Sequence, residues 1–180
     1  MSFRKDHVIL VNERDEWLGT MEKLEAHQKG LLHRAFSVFV LNSNNEILLQ
    51  QRATGKYHSA GLWSNTCCSH PMPGESTHAA AHRRLKEEMG FDCPLEPVFH
   101  LRYTSEVGND LIENEYDHIY LGHYDGEVVI NEEEAAGFRF ISLTELEVWR
   151  TNEPEAFTSW FHLAMPTMLK YLEKLASTAV

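Results

Sequence analysis

Apolar and polar residues alternate along much of this chain with a period of two. Stretches of this kind, bounded by turn residues, are typical of half-buried strands. They predict strands over 7–11, 17–20, 35–41, 46–51, 98–104, 112–123 and 138–141. The polar segments 42–45 and 108–110 have the composition of hairpin turns.

Other segments have apolar residues three and four positions apart, as on one face of a helix. They predict helices over 76–89, 143–150 and about 157–176. In the first of these, Ala81, Leu85 and Met89 form one apolar stripe, and Gly90 is placed as a C-terminal stop. The elements together predict one α/β (α+β) domain, with a mixed sheet between helices, a core over about 8–161 and a C-terminal helix over about 157–176.

Composition narrows the class of protein. A chain of 180 residues with 43% apolar content suits one domain, and its formal charge of −11 argues against nucleic acid and anionic membranes as partners. The N-terminal segment MSFRKD has no apolar signal region, and no apolar run approaches the roughly eighteen residues that span a bilayer. The three cysteines show no regular spacing. We therefore expect a cytoplasmic protein without a disulfide framework.

Candidate chemistry is concentrated in the segment 64–91 and around 113–115. On an extended backbone, successive side chains point to opposite faces. Cys68 and His70 can therefore face one cavity together while Cys67 points away as a packing residue, and Glu113 and Glu115 can likewise share a face. The combination suits a metal-assisted reaction on a phosphorylated substrate.

An anionic substrate of such an acidic chain needs a local group of cations. Lys23, Arg52, Lys56 and Arg84 occur in the segments that would surround the cavity, with Arg52 and Lys56 in a turn after the strand 46–51. The alternative interpretation of the segment with Arg52 and Lys56 is an ordinary solvated loop. The alternative for the helix 76–89 is a solvated amphipathic helix in which Arg83 and Glu87 form an ion pair four residues apart. A flavin is not expected, because no dinucleotide-binding glycine fingerprint is present.

The helix 76–89 and its flanks resemble most of a Nudix box, the loop–helix–loop motif that presents carboxylates to cations on a diphosphate. The matching residues are Glu75, Arg83, Leu85, Glu87, Glu88, Gly90 and Phe91. Two positions depart from the motif: Ser69 stands where a glycine is usual, and Arg84 stands where a glutamate is usual. Arg84 replaces an acidic group by a cation that can bind phosphate directly.

Within the Nudix superfamily, the chain resembles the type I isopentenyl diphosphate isomerases. The shared motifs are Asn-x-x-Cys-x-His-Pro, here Asn65, Cys68, His70 and Pro71, and Glu-Asn-Glu at 113–115. The likeness extends from Val8 to about Phe161 and implies a Nudix-type fold. It also implies interconversion of isopentenyl and dimethylallyl diphosphate in isoprenoid biosynthesis, with a small diphosphate as the substrate.

The resemblance further implies roles for individual residues. Cys68 and Glu115 would be the acid/base pair, Tyr103 would relay a proton, and Trp160 would cover the pocket. Mn²⁺ or Mg²⁺, with zinc possible, would be bound by His27, His33, His70, Glu113 and Glu115. Glu88, with the backbone of Cys68, would hold a second Mg²⁺. The gap between His27 and His33 is one residue shorter than in the pattern of the bacterial isomerases that the chain resembles.

Two other functions compete with this hypothesis. One is a Nudix diphosphohydrolase acting on a substituted diphosphate, although Arg84, Cys68 and the histidines have no role in hydrolysis. The other is a non-catalytic sensor that binds a diphosphate or a metal ion. For the isomerase, we expect a monomer or a weak dimer.

Overall fold

The computed structural model describes residues 6–178, and the first strand begins directly after that boundary. The elements are β1 His7–Val11, β2 Trp17–Glu22, α1 Lys23–Lys29, β3 His33–Leu41, β4 Glu46–Arg52, β5 Trp63–Ser64, β6 Cys67–Ser69, α2 Thr77–Met89, β7 Leu95–Glu106, β8 Ile112–His123, β9 Ala135–Ser142, α3 Leu143–Asn152, a 3-10 turn Pro154–Ala156 and α4 Ser159–Thr178. The segment 1–5, on which part of the expectation about a signal region rests, lies outside the described residues.

Strand β3 is the centre of a mixed sheet. It runs parallel to β8 along its whole length, from the pair His33 and Glu115 to the pair Leu41 and His123. The other pairings are antiparallel. Strand β7 pairs with β8, and β6 and the ends of β1 and β4 pair with β3. Strand β2 pairs with β1, and β5 and β9 pair with β4. The prediction of a mixed sheet between helices in a single domain is confirmed.

The alternation of β3 supplies two apolar cores on opposite faces of the sheet. Phe36, Val38 and Val40 face α2, where the predicted stripe of Ala81, Leu85 and Met89 is fully buried. Phe39 and Leu41 face the other way, against Phe161, Met165 and Met168 of α4. Each large buried side chain contributes roughly 1.5–3 kcal/mol to stability, so the two helices are held firmly against the sheet.

The predicted elements are all present, with shifted ends. Helix α2 begins at Thr77 because the Oγ of Ser76 accepts a hydrogen bond from the backbone N of Ala79 at 3.1 Å, which makes Ser76 the N-cap. Both hairpin turns join strands as predicted. Arg52 is the last residue of β4 rather than part of the following turn. Within residues 6–178, no helix is long and apolar enough to cross a bilayer.

Helix α1 was not predicted from the sequence. It has seven residues, mostly polar, and a helix of that length is not stable alone. The side chain of Glu22 caps its N-terminus, and Gly30 ends it in the left-handed conformation with φ 60°. Tertiary contacts decide whether such a segment is helical, because its sequence has no clear helical period.

Gly90 ends α2 with φ 77°, as the sequence predicted, and a Cβ there would lie 2.2 Å from the carbonyl oxygen of Val129. We expect Gly90→Ala to lower the free energy of unfolding by at least about 2 kcal/mol, through backbone strain and this clash. Gly55→Ala is the control, since a Cβ at Gly55 meets no atom within 4 Å. Chemical denaturation of both variants measures the difference, and equal stabilities would contradict the packing described here.

Candidate active site

One face of β3 and β8 changes from polar to apolar along its length. Residues paired across the two parallel strands point to the same side of the sheet, so His33 and Glu115 lie side by side. Further along the same face, Phe39 and Ile119 belong to the core beneath α4. The polar half of this face therefore forms the floor of a pocket, and the apolar half anchors it to the body of the protein.

The pocket is lined by nearly all the residues that the sequence singled out. They are Lys23, Arg52, Lys56, Cys68, His70, Arg84, Glu88, Tyr103, Glu113, Glu115 and Trp160, joined by Gln50, Tyr57, His58 and Ser69. His27 and His33 lie directly beneath, fully buried. The predicted residues thus come together at one place, although they belong to elements from α1 to α4.

Five of these groups form a compact cluster. The ligand atoms of His27, His33, His70, Glu113 and Glu115 all lie within 4.8 Å of one another. His70 Nε2 is 2.8 Å from Glu115 Oε1 and 3.2 Å from His33 Nε2, and His27 Nε2 is 3.0 Å from Glu113 Oε2. The alternation that was expected to bring Glu113 and Glu115 to one face is confirmed.

His27 reaches the cluster despite the short gap before His33. The left-handed Gly30 reverses the chain after α1, so that the rings of His27 and His33 face each other with centroids 4.8 Å apart. The unpredicted helix α1 is what turns His27 inward.

Hydrogen bonds to the backbone fix which ring nitrogen faces the cluster. Nδ1 of His27 lies 2.6 Å from the carbonyl oxygen of Lys23, and Nδ1 of His33 lies 2.8 Å from that of Leu31. Since a carbonyl oxygen only accepts, each Nδ1 carries the proton in the neutral ring and each Nε2 offers a lone pair to the cluster. Burial lowers the pKa of His70 to about 4, against the opposing effect of Glu115, so the His70 ring is neutral near pH 7.

The two carboxyl groups are ionised. Burial raises their pKa values, but for Glu113 the close contacts with the imidazoles of His27 and His58 outweigh burial, and its pKa is held well below its usual range. For Glu115, burial and the charge of Glu113 are outweighed by His33 and His70, and its pKa is also lowered. The cluster therefore contains two carboxylate charges beside the neutral ring of His70.

These atoms fit a divalent cation. His27 Nε2 and Glu113 Oε2 are buried and have no hydrogen-bond partner, which costs free energy unless a cation lies between such groups. Backbone carbonyls that orient the far nitrogen of each imidazole are typical of metal sites. Three imidazoles and two carboxylates give the mixed nitrogen and oxygen set that was expected from the sequence.

His58 was missed by the sequence analysis. Its Nε2 lies 2.9 Å from Glu113 Oε1, and its ring contacts the indole of Trp160 edge to face at 5.8 Å between centroids. It therefore braces the oxygen of Glu113 that faces away from His27. The chain has 11 histidines, and no local pattern marked this one because its loop becomes part of the site only through the tertiary fold.

The orientation of the adjacent cysteines is as predicted. Strand β6 pairs with β3 so that Cys68 lies beside Ser37 in the pocket, while Cys67 is buried in the α2 core. Cys68 Sγ donates to Asn65 Oδ1 at 2.9 Å. Burial, together with the nearby carboxyl of Asp117, raises the pKa of Cys68 to about 12, so the group is a thiol near neutral pH.

Tyr103 and Trp160 complete the walls. The hydroxyl of Tyr103 donates to Glu115 Oε2 at 2.5 Å, and burial with the charge of Glu115 raises the pKa of Tyr103 well above its usual range. The indole N–H of Trp160 donates to Ser64 Oγ at 2.9 Å. The guanidinium of Arg52 lies 5.2 Å from the centroid of the Trp160 ring.

The four predicted cations surround the mouth of the pocket. The Lys23 ammonium lies over the ring of Tyr57 at 5.1 Å, and its pKa is lowered by burial and by the charges of Lys56 and Arg84. Arg52 Nε is buried without a hydrogen-bond partner. This concentration of positive charge on an acidic protein has the electrostatic character that an anion requires.

Three carboxylates form ion pairs with two of these cations, Arg84 and Lys56, and one of the three is Glu87, 2.8 Å from Arg84 Nη1. Glu88 Oε1 accepts from Arg84 Nη2 at 2.7 Å, and its other oxygen accepts from Gln50 Nε2 at 2.9 Å. Glu134, which the sequence analysis did not identify, pairs with both Arg84 and Lys56. Arg84 therefore stands between Glu88 and Glu134 rather than in the cluster of five groups.

Solved structures identify the fold. A crystal structure of a protein from Deinococcus radiodurans, 18% identical, superimposes with a TM-score of 0.72 over 89% of this chain and 98% of the other. A MutT protein from Methanosarcina mazei, 17% identical, gives a TM-score of 0.60 over 82% and 95%. The NUDIX domain family matches residues 31–161.

Curated relatives narrow the family further. An isopentenyl-diphosphate Delta-isomerase from Burkholderia multivorans is 52% identical over 88% of this chain and 90% of the relative. One from Pectobacterium atrosepticum is 50% identical over 94% and 95%, and isopentenyl-diphosphate Delta-isomerase 2 from Aromatoleum aromaticum is 51% identical over 87% and 82%. The chain therefore belongs to the NUDIX domain family and, within it, to the isopentenyl-diphosphate Delta-isomerases. The family predicted from the sequence motifs is confirmed.

We expect Glu113→Gln to weaken the binding of a divalent cation at least about tenfold, because the amide brings no charge to the cluster. Calorimetric titration of chelator-treated protein with Mn²⁺, followed by elemental analysis, measures the change. Glu96→Gln is the matched control, since it removes one exposed carboxylate from the far end of β7. Equal affinities in the two variants would show that the cluster does not bind the ion.

Proposed function

We propose that this protein interconverts isopentenyl diphosphate and dimethylallyl diphosphate in isoprenoid biosynthesis. The observation that carries the proposal is the placement of a half-buried thiol, Cys68, and a buried carboxylate, Glu115, in one pocket that four cations also line. Membership of the isomerase family supports the same reaction. Each part of the substrate has a matching part of the pocket.

The reaction moves a double bond by adding one proton and removing another. An unactivated alkene is weakly basic, so protonation passes through a developing tertiary carbocation that water would trap as an alcohol. The protein must therefore supply an acid and a base on two sides of the substrate and keep water out. Buried acid/base groups in a closed pocket meet both demands.

Cys68 and Glu115 are the proposed acid/base pair. One gives a proton to the substrate and the other removes a proton on the opposite side. The resting protonation states support complementary roles, because Cys68 is a thiol with a pKa of about 12 and Glu115 is a carboxylate. The short hydrogen bond from Tyr103 to Glu115 gives a route for proton relay at that side.

Trp160 is proposed to stabilise the carbocation. Its ring is buried in the pocket wall, and an aromatic face over a desolvated cation contributes about 2 kcal/mol or more. This is more than a factor of ten in rate. Its N–H is held by Ser64, so the ring has a fixed position against the substrate.

The diphosphate is proposed to bind at the mouth of the pocket. Lys23, Arg52, Lys56 and Arg84 supply the positive charge there, and the unpartnered Nε of Arg52 is available to an anion. A diphosphate would compete with Glu134 for Lys56 and Arg84. The hydrocarbon end of the substrate would then lie deeper, between Cys68 and Glu115.

We assign Mn²⁺ or Mg²⁺ to the cluster of His27, His33, His70, Glu113 and Glu115, with zinc as an alternative occupant. Such an ion would supply positive charge that keeps Glu115 ionised, and the residues around Glu115 would keep its orientation fixed. Glu88, with the backbone of Cys68, is proposed to hold a second Mg²⁺ that contacts the diphosphate. No flavin has a part in this scheme.

We further propose that the enzyme works in the cytoplasm as a monomer or weak dimer. A reducing compartment would keep the Cys68 thiol intact. The net charge of −11 supports a small molecule, rather than nucleic acid or an anionic membrane, as the partner.

We expect Cys68→Ser and Glu115→Gln each to reduce kcat at least about 100-fold, because each removes one member of the acid/base pair. Proton NMR of isopentenyl diphosphate incubated with each variant in D₂O measures the movement of the double bond and the uptake of deuterium. Circular dichroism checks that both variants remain folded. Unchanged turnover in either variant would refute its assigned role.

The same assay separates the competing functions. Release of phosphate or diphosphate without a shift of the double bond would identify a hydrolase. A sensor would bind the diphosphate with unchanged affinity in Cys68→Ala, and its wild type would not turn over the substrate.

We expect Arg52→Ala to raise KM for isopentenyl diphosphate about tenfold or more, since it removes a charged hydrogen-bond donor from the diphosphate site. Arg102→Ala is the control, because Arg102 is exposed on β7 and pairs with Glu13 outside the pocket. Raised ionic strength should increase KM of the wild type in the same direction by screening. Equal KM values for the two variants would contradict the assignment of Arg52.

A further inference from the structure

A chain of buried hydrogen bonds joins the indole of Trp160 to the thiol of Cys68. Trp160 Nε1 donates to Ser64 Oγ at 2.9 Å, and Ser64 Oγ donates to Asn65 Oδ1 at 3.0 Å. The thiol of Cys68 donates to the same Asn65 oxygen at 2.9 Å. Ser64, Asn65 and Trp160 are each at most 4% exposed, so water cannot replace these contacts.

The orientation of the Asn65 amide is determined by its surroundings. Its Nδ2 donates to the carbonyl oxygens of Val38 at 3.0 Å and Cys67 at 3.1 Å. Because carbonyl oxygens only accept, the amide cannot be reversed without leaving both unpaired. Asn65 Oδ1 must therefore face Ser64 and Cys68 as an acceptor, and it needs donors from both.

The bonds of Ser64 are equally constrained. An indole N–H only donates, so Ser64 Oγ accepts from Trp160 and its own proton is directed to Asn65. Two further contacts are Thr158 Oγ1 at 3.0 Å, which can donate to the second lone pair, and the sulfur of Cys68 itself at 3.9 Å. The backbone of Ser64 is held in β5 by its pairing with Gln50 of β4. The hydroxyl is thus a fixed point with every hydrogen-bonding position in use.

We propose that Ser64 is a positioning residue that holds the Trp160 ring and the Cys68 thiol in a set geometry relative to each other. The inference rests on the proposed isomerase function, in which these groups meet the same substrate carbon skeleton. A displacement of about 1 Å between catalytic groups can reduce a rate about 100-fold. Ser64 acts through Trp160 and Asn65 and does not itself line the pocket.

The first test is Ser64→Ala. We expect kcat to fall at least about tenfold, because the indole and the thiol lose their common anchor. KM should change by less than about threefold, since the diphosphate site is untouched. The metal content should equal that of the wild type. Thr158→Val is the matched control, as it removes the other hydroxyl that contacts Ser64 and keeps the link between the two groups; its kcat should stay within about twofold of the wild type.

The second test measures the hydrogen bond of the Trp160 indole N–H directly. A merely structural role of Ser64 would leave the signal of this N–H unchanged. The Trp160 indole N–H signal in a ¹⁵N-correlated NMR spectrum is identified by its absence in Trp160→Phe. In the wild type, we expect this proton to exchange slowly with solvent. In Ser64→Ala, the signal should move upfield as the hydrogen bond is lost.

A double-mutant cycle then links the contact to the rate. In the Trp160→Phe background, Ser64→Ala should reduce kcat by a smaller factor than in the wild type, because the indole bond is already absent. Full additivity, an unchanged kcat in Ser64→Ala, or an equal loss in Thr158→Val would each overturn the proposal.

If Ser64→Ala does not fold, fast exchange of the wild-type indole proton alone overturns the proposal, and slow exchange supports it. Failure of the wild type to isomerise the substrate would instead refute the proposed function, while the NMR result would still decide whether Ser64 holds Trp160.

Discussion

The structure depends on five ligand groups that are held together at a largely buried place, with only His70 partly exposed. The ligand atoms of three imidazoles and two carboxylates all lie within 4.8 Å of one another. Among them, His27 Nε2 and Glu113 Oε2 have no hydrogen-bond partner. Removing a charged group from water costs several kcal/mol unless an opposite charge is close. Backbone carbonyls, His58 and the paired strands β3 and β8 hold the five groups in place. A divalent cation would supply the positive charge that the cluster lacks.

The pocket separates two kinds of chemistry by depth. Cations at the mouth suit a diphosphate, whereas the thiol of Cys68 and the ring of Trp160 lie deeper, among buried residues. The separation follows from the sheet, because the polar half of one face of β3 and β8 continues into the apolar core beneath α4. On the proposed function, this arrangement holds the substrate by its charged end and presents its hydrocarbon end to the acid/base pair.

The fold is shared with NUDIX proteins of low sequence identity, so the architecture alone does not determine the reaction. The difference lies in a few side chains on common elements. Arg84 brings a cation onto α2 and pairs with Glu88 and Glu134, and Cys68 occupies the pocket face of β6. On the proposed function, these side chains bind a diphosphate directly beside a proton-transfer site, rather than collecting metal ions for hydrolysis.

The sequence by itself determined the longer strands but not the short β5 and β6, and it determined the helix α2 with its buried stripe and the faces of Cys68, Glu113 and Glu115, because side-chain direction follows from local backbone period. The motifs also identified the family. Only the tertiary structure decided that α1 forms and turns His27 inward, that His58 braces Glu113, and that Ser64 links Trp160 to Asn65. These contacts join residues from distant parts of the chain, and periodicity carries no information about which distant elements will meet.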